Sequence, residues 1–345
     1  MPAQTVLPRW RGFNLESMVS HESFRPLLES DFQWISDLGF DFVRVPMSYR
    51  FWTDPKDPYR LLEEKLVHVD EAVRWGEKYG IHVDLNFHRG PGFCCALNPV
   101  EPWSLWKSDE ALNVFCYHWE EFARRYKGIP SSLVSFNLLN EPPPPVEELP
   151  EPHDMPMQDA TRVDHERVMR RTVSAIRAID PDRLIILDGM WYGRGAPSTE
   201  LLDLGVAQST RAYMPMGLSH YKAKWWREGG MDFPEPVWPG ALEAHRRPWT
   251  RQTLEDHYQE WADLAAHGVG VHCGEGGCYV HCPHEIFLRW FEDVLEILTH
   301  HNIGYALWNF RGDFGILDTN RSDVAYEEYR GHRLDGKLLR LLQKY

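Results

Sequence analysis

Strand-like apolar runs alternate with amphipathic, helix-like segments along the whole chain, and this alternation constrains the fold more than any other feature. The apolar runs are too short for helices, and Pro or Gly ends several of them. They lie near residues 10–16, 40–47, 82–88, 133–141, 184–189, 212–220, 268–275 and 303–310. The helix-like segments lie near residues 24–38, 61–79, 108–127, 159–179, 198–204, 253–267, 284–301 and 324–343. Eight alternations predict an α/β protein folded as a closed (β/α)8 barrel, or TIM barrel.

The chain shows no boundary between domains. It has no sequence repeat at a fixed period and no Gly/Ser-rich linker, and barrels of this kind commonly use such a length as one domain. We therefore predict a single domain over residues 1–345, with loop insertions near 142–158 and 222–250. Each insertion follows a predicted strand, so we expect both to wall a cleft at the carboxyl-terminal face of the barrel.

Composition narrows the class of partner. The net charge is -14 and no basic stretch offsets it, which argues against nucleic acid and anionic membrane surfaces. The first residues lack a basic segment followed by an apolar core, and no stretch reaches the roughly 18 apolar residues of a membrane span. We predict a cytoplasmic protein with reduced thiols, no cofactor and a neutral substrate. The 15 Trp residues suit a sugar, because flat apolar sugar faces stack on indole rings.

Two glutamates stand at the ends of predicted strands. Glu141 lies in Asn-Glu-Pro after the fourth run, and Glu275 lies in Gly-Glu-Gly-Gly at the end of the seventh. In a parallel barrel both would reach the carboxyl-terminal edge, where ligands bind. Hydrolysis of a glycosidic bond needs two carboxyl groups, one to protonate the leaving oxygen and one to attack the sugar or to activate water. The pair therefore indicates glycosidase chemistry.

Polar or aromatic residues end other predicted strands too, and their order along the chain resembles the retaining β-glycosidases of clan A, most closely glycoside hydrolase family 5. The segments that carry the resemblance are Val43-Arg44-Val45-Pro46, Asn86-Phe87-His88, Leu139-Asn140-Glu141-Pro142, Ser219-His220-Tyr221, Gly274-Glu275-Gly276-Gly277 and Ala306-Leu307-Trp308-Asn309. Each motif alone is weak. Their order on successive strands is specific, and they span almost the whole chain.

The resemblance implies a role for each matching residue. Glu141 would be the general acid/base and Glu275 the nucleophile, with Arg44 bonded to the nucleophile and Asn140 to the sugar 2-hydroxyl. His88 and His220 would orient hydroxyls or carboxylates, and Trp308 would floor the subsite of the cleaved sugar. Family members usually carry a tyrosine two residues after the histidine that matches His220, and Lys222 stands there in this chain. The resemblance therefore leaves Tyr221 or another tyrosine, such as Tyr279, to contact the nucleophile.

Two hypotheses from other classes of protein compete with the glycosidase hypothesis. The run from His272 to His284 is dense in His and Cys, which would suit a zinc site, although its spacing departs from the paired Cys-x2-Cys pattern of structural zinc. A non-catalytic sugar-binding barrel is the third possibility, and the presence of both glutamates argues against it. We therefore expect no metal ligands.

The substrate that we predict is a short β-1,4-linked oligosaccharide, hydrolysed by double displacement. The segments 40–50 and 85–92 resemble family branches that include exo-acting β-mannosidases, among them enzymes acting on Man-β-1,4-GlcNAc. An exo-β-mannosidase is therefore the first expectation, and an endo-β-1,4-glucanase of the cellulase type is the alternative. The choice depends on the axial 2-hydroxyl of mannose, which local sequence does not place.

Overall fold

Eight parallel strands form a closed barrel. The computed structural model describes residues 6–19, 24–96, 100–149, 159–226, 232–243 and 247–345. The strands are β1 Arg11–Asn14, β2 Phe42–Ser48, β3 His82–Gly90, β4 Val134–Asn137, β5 Ile185–Asp188, β6 Ala207–Ala212, β7 Val271–Gly276 and β8 Gly304–Leu307. Each pairs in parallel with the next, and β1 pairs with β8 to close the ring. The predicted (β/α)8 fold is confirmed.

α-Helices connect the strands except between β5 and β6, where the connection is the 3-10 helix Thr199–Leu204. They are α1 Glu29–Asp37, α2 Glu63–Tyr79, α3 Asp109–Arg125, α4 Arg162–Ile179, α5 Met216–Ser219, α6 Arg251–Ala266, α7 His284–His300 and α8 Gly336–Lys344. Local sequence explains their ends. Thr161 forms a capping box with Asp164 at the start of α4, and Gly80 ends α2 in the left-handed conformation at φ 67°.

The core fills the space between the barrel and this helical layer. Helix α3 buries Phe115, Trp119 and Phe122, and the Trp119 ring stacks on Phe87 of β3 at a centroid distance of 3.9 Å. At the amino-terminal end of the barrel, Trp10 stacks on His82 at 3.7 Å. Apolar side chains therefore cover the outer surface of the barrel and its amino-terminal end. The carboxyl-terminal face is left for polar side chains.

Two predicted elements are wrong. The sixth strand was expected near 212–220, but it runs over Ala207–Ala212, and Met216–Ser219 is the short helix α5. The sequence of β6, Ala-Gln-Ser-Thr-Arg-Ala, lacks the apolar run that served as the strand signal. Ser209 and Arg211 face a polar barrel interior, and Gln208 and Thr210 bond to carbonyls of the segment between β5 and β6. The eighth helix was expected from 324, but it begins only at Gly336, after a short hairpin of Glu327–Tyr329 with His332–Leu334.

Both predicted insertions are only partly described. Residues 142–149 of the first are described and 150–158 lie outside the described residues, as do 227–231 and 244–246 of the second. After Glu141 the chain runs against the loop that follows β5. The backbone N–H of Tyr192 donates to the Pro142 carbonyl at 2.9 Å, and that of Trp191 to Pro143 at 3.4 Å. Among the helices of the described ranges, none has the length and apolar character needed to cross a bilayer.

Candidate active site

Glu275 is held by three donors at the carboxyl-terminal face. Arg44 Nη1 donates to Glu275 Oε1 at 2.6 Å, Arg211 Nη2 lies 3.3 Å from the same oxygen, and the Tyr213 hydroxyl donates to Oε2 at 3.1 Å. The strand pairing of β7 with β6 shifts register between Cys273 and Glu275, so a β-bulge aims this carboxylate. A buried carboxylate whose two oxygens both accept hydrogen bonds is fixed in one orientation, as an attacking group requires.

Arg44 is itself immobilised. Its side chain is fully buried on β2, and its other contacts are Asp188 Oδ2, 3.7 Å from Nη2, and amide oxygens on or shortly after β1 and β4. Nε donates to Asn137 at 2.9 Å, Nη1 to Asn14 at 3.0 Å and Nη2 to Asn140 at 2.8 Å. A guanidinium saturated in this way presents its charge to Glu275 without further reorganisation.

Glu141 occupies a different environment. Its backbone has φ 51°, an uncommon conformation for a residue other than glycine, and its N–H donates to Asp188 Oδ2 at 3.0 Å. Burial and repulsion from Glu275 raise the pKa of Glu141 to about 7, against the opposing effect of Arg211. Its side chain stays 19% exposed, so the carboxyl group can reach a ligand. A carboxyl with this pKa can be protonated before the reaction and ionised after it.

Asn140 lies between the two arginines. Its Oδ1 accepts from Arg44 Nη2 at 2.8 Å and from Arg211 Nη2 at 3.0 Å, so this atom must be the amide oxygen. The Nδ2 group is then turned away from the cations and donates to Cys95 Sγ at 3.3 Å. One N–H of this group remains for a ligand hydroxyl, as the predicted contact with the sugar 2-hydroxyl requires.

His88 and Trp308 form one wall of the site. Their rings stack with centroids 5.4 Å apart and an interplanar angle of 28°, and both are half-buried. Burial, with the positive charges of Arg44 and Arg211, lowers the pKa of His88 well below its usual range. His88 is therefore neutral, and its ring can orient a hydroxyl without adding charge.

His220 and Tyr221 follow α5 and do not touch either glutamate within the described contacts. Nδ1 of His220 lies 2.9 Å from Ser219 Oγ, and its ring meets the Tyr213 ring edge to face at 5.1 Å. The Tyr221 ring is buried in the main apolar core with the Lys222 ammonium 4.9 Å from its centre. Tyr279 packs against Trp225, with ring centroids 4.6 Å apart.

The tyrosine that contacts Glu275 is Tyr213, directly after β6. Sequence reasoning missed it because the sixth strand was placed too late in the chain. It also missed Arg211 and Asp188, which end β6 and β5 and lie fully inside the barrel. For Asp188, a charged residue within the predicted strand near 184–189 was the available signal, since buried charges occur where a partner or a function requires them. Arg211 lies just before the predicted sixth strand and carried no such signal.

The His/Cys-rich run does not converge on one point. His272 Nε2 lies 3.3 Å from the Trp10 carbonyl at the opposite end of the barrel, whereas His284 pairs with Asp335 at 2.7 Å. Across the described part of the chain, no group of three or more His, Cys, Asp or Glu side chains has a geometry that could hold a metal ion. The geometry thus gives no support to the hypothesis of a zinc site in this run.

The chain is similar over most of its length to known proteins of one family. The family described as cellulase, glycosyl hydrolase family 5, matches residues 3–313. Endoglucanase C of Acetivibrio thermocellus is 25% identical, over 92% of this chain and 95% of that protein. Cellodextrinase A of Ruminococcus flavefaciens is 25% identical, over 80% of this chain and 76% of its own length. A crystal structure described as that of a glycoside hydrolase is 40% identical with a TM-score of 0.90, covering 97% of this chain and 99% of that one.

These matches extend over nearly the whole chain, and the resemblance predicted from the strand-end motifs is confirmed. The protein belongs to glycoside hydrolase family 5 and is an O-glycoside hydrolase.

Proposed function

We propose that this protein is an endo-β-1,4-glucanase that works by double displacement, with Glu141 as acid/base and Glu275 as nucleophile. The observation that carries the division of roles is the unequal environment of the two carboxyl groups. Glu275 accepts hydrogen bonds from Arg44 and Tyr213, whereas Glu141 is buried beside a like charge and its pKa is raised to about 7. A nucleophile must be ionised, and a general acid must carry a proton.

In the first step, a Glu275 oxygen attacks the anomeric carbon while Glu141 donates its proton to the leaving glycosidic oxygen. The bond between sugar and leaving group breaks, and a covalent glycosyl ester on Glu275 forms. Asn140, whose amide is oriented by both arginines, would bond the 2-hydroxyl, a contact that strengthens in the transition state. Trp308 and neutral His88 would hold the sugar that is transferred.

In the second step, ionised Glu141 removes a proton from water, and the resulting oxygen nucleophile attacks the anomeric carbon. The ester bond to Glu275 breaks, the nucleophile returns to its carboxylate form, and Glu141 is protonated again. Two displacements on opposite faces of the sugar retain the β configuration. The released product is therefore a β-anomer.

The relatives support a glucan substrate. Two that match most of the chain are described as an endoglucanase and a cellodextrinase. The exo-β-mannosidase expected from the segments 40–50 and 85–92 has no support among these relatives. The alternative named with it, the endoglucanase, is the better proposal.

The deciding experiment is a substrate panel with product analysis. Cellohexaose, carboxymethyl cellulose, mannohexaose, Man-β-1,4-GlcNAc and the p-nitrophenyl β-glucoside and β-mannoside are incubated with the enzyme, and products are separated by size. We expect internal cleavage of cellohexaose to cellobiose and cellotriose, with an early fall in the viscosity of the carboxymethyl cellulose. Release of mannose alone from the mannosides would reject the glucanase proposal in favour of the exo-β-mannosidase.

A further inference from the structure

Arg211 contacts both glutamates, Asn140 and Asp188 at the reacting end of the barrel. Its guanidinium is fully buried on β6. Nη2 lies 3.3 Å from Glu275 Oε1 and donates to Asn140 Oδ1 at 3.0 Å, and Nε lies 3.4 Å from Glu141 Oε1. One cation thus touches both carboxyl groups of the proposed reaction, whereas Arg44 hydrogen-bonds only one of them.

The fold provides a slot for this side chain. A Cβ on Gly193 would lie 2.9 Å from Arg211 Cγ, and a Cβ on Gly274 would lie 3.2 Å from Arg211 Nη1 and 2.6 Å from Ser209 Oγ. Gly193 has φ 71° and ends a left-handed turn in which Trp191 and Tyr192 also have positive φ. Strained backbone of this kind persists where the surroundings demand it, and here it leaves room for an arginine.

Asp188 anchors the arginine from below. It accepts hydrogen bonds from Arg211 Nη2, from Asn137 Nδ2 at 2.9 Å and from the Glu141 backbone N–H at 3.0 Å. Burial opposes its ionisation, but Arg211 and Arg44 outweigh this effect and lower the pKa of Asp188. The two arginines are therefore balanced by Asp188 and Glu275, so that a protonated Glu141 leaves the cluster neutral.

We propose that Arg211, held by Asp188 in the slot between Gly193 and Gly274, is a positioning residue that sets the geometry and the charge balance of the Glu141 and Glu275 pair. This inference rests on the proposed roles of the two glutamates. It assigns to the barrel a second cation whose charge favours the ionised form of the acid/base, while the charge of Asp188 disfavours that form.

Arg211 and Asp188 act on the pKa of Glu141 in opposite directions, so replacing each of them should shift that pKa in a defined direction. Arg211 favours the ionised form of Glu141 and Asp188 disfavours it. Replacing Arg211 with Gln should therefore raise the pKa of Glu141, and replacing Asp188 with Asn should lower it. The other titratable or charged groups that interact with the cluster are Glu16, Arg44, Asp84, His88, Cys95, Arg194, Tyr213, His272 and Cys273.

The measurement is the pH profile of kcat/KM for R211Q, D188N, R211K and the R211Q/D188N double variant, on a phenyl β-glycoside that the wild type hydrolyses. We expect the alkaline limb to move up by about 0.5 pH unit or more in R211Q and down in D188N. We expect kcat/KM at the optimum to fall on the order of 100-fold in R211Q and less in R211K. A purely structural arginine would lower the rate without moving the limbs in opposite directions.

Carbon-13 NMR titration of the carboxyl groups, with Glu141→Gln used to assign its resonance, reads the pKa of Glu141 without any substrate. It separates this inference from the glucanase proposal, which the substrate panel tests. Circular dichroism identifies variants that do not fold. If R211Q does not fold because Asp188 is left without its cation, the effect of Arg211 is read by comparing D188N with the R211Q/D188N double variant, in which the pKa of Glu141 should be the higher. An unchanged Glu141 pKa in folded variants, or shifts of the same sign in R211Q and D188N, would overturn the proposal.

Discussion

The two glutamates differ in what surrounds their carboxyl groups, and this difference predicts how their variants fail. Glu275→Ala should lose at least about 1,000-fold in kcat on every substrate, because no attacking group remains. Glu141→Ala should lose roughly 100- to 10,000-fold on oligosaccharides and far less on 2,4-dinitrophenyl glycosides, whose leaving group needs no proton. Both are read from initial rates on the two substrate types.

Added azide provides the control, because it can take the place of a missing carboxylate. It should yield an α-glycosyl azide with Glu275→Ala and a β-glycosyl azide with Glu141→Ala. The reverse assignment of anomers would exchange the two roles.

Tyr213 and Tyr221 offer a matched comparison of two nearby tyrosines. The Tyr213 hydroxyl donates to Glu275 at 3.1 Å, whereas the Tyr221 ring is packed in the core. Tyr213→Phe should lower kcat about tenfold or more, since a hydrogen bond to a charged group contributes roughly 1.5–3 kcal/mol. Tyr221→Phe should keep kcat near the wild-type value. Equal losses in the two variants would argue that Tyr213 supports only the packing.

Three site residues that sequence reasoning found lie in or beside an apolar run, and two that it missed do not. Glu141, Glu275 and Arg44 were found because each stands in or beside an apolar run that marks a strand. Tyr213 and Arg211 were missed because β6 carries polar side chains into the barrel, so nothing apolar marked its end. The contact between Tyr213 and Glu275 spans 62 residues, and only the closed ring of strands brings the two together.

At the scale of elements, the loop after β5 is as important as the strands. Its left-handed turn at Trp191, Tyr192 and Gly193 pairs with the carbonyls of Pro142 and Pro143 and borders the Arg211 slot. Prolines have no N–H to donate, so the segment after Glu141 offers only acceptors to this turn. The segment that carries Glu141 and the slot that holds Arg211 are thus connected through the loop after β5.

Gly193→Ala tests this connection, and Gly80→Ala is its matched control. Both glycines have positive φ, at 71° and 67°, but a Cβ at Gly80 meets nothing within 4 Å whereas one at Gly193 meets Arg211. We expect each variant to lose about 1 kcal/mol of unfolding free energy from the backbone conformation alone. Only Gly193→Ala should also lower kcat and move the alkaline limb of the pH profile. Equal activities of the two folded variants would contradict the inference that Gly193 leaves the space that positions Arg211.

The type and order of the barrel elements could be predicted from the chain because eight alternations allow few other folds. Their ends could not, since a strand end is fixed by pairing with its neighbours and not by its own residues. The sixth strand and the eighth helix show this. The former is defined by its ladder with β5 and β7, and the latter starts only where Asp335 caps it.

At the scale of the whole molecule, buried histidines set the response to acid. Burial lowers the pKa of His82, His118 and His272 to about 3 and that of His165 to about 4. The unfolded chain protonates these groups near pH 6.5. Their contribution to stability is therefore complete above about pH 6.5 and is lost as the pH falls, by about 1.4 kcal/mol per pH unit for each histidine.

His165 is the best place to test this. Neither of its ring nitrogens has a hydrogen-bond partner among the described residues, and its side chain is fully buried on α4. We expect His165→Leu to match or exceed the wild-type unfolding free energy at pH 7, and to exceed it by about 2 kcal/mol more at pH 5. Urea unfolding at the two pH values measures the difference. A gain that does not change with pH would show that His165 binds protons equally in the folded and unfolded states, and would contradict the lowered pKa.

The arginine slot also has a consequence for related sequences. An arginine at the position of Arg211 cannot fit unless the positions of Gly193 and Gly274 lack a side chain, and its charge is not balanced unless an acid stands at Asp188. These four positions, which lie on β5, β6, β7 and the loop after β5, should therefore change together in evolution. Family members that replace the arginine can carry larger residues at the two glycine positions. The four residues together would therefore identify the subgroup of the family that has this buried charge arrangement.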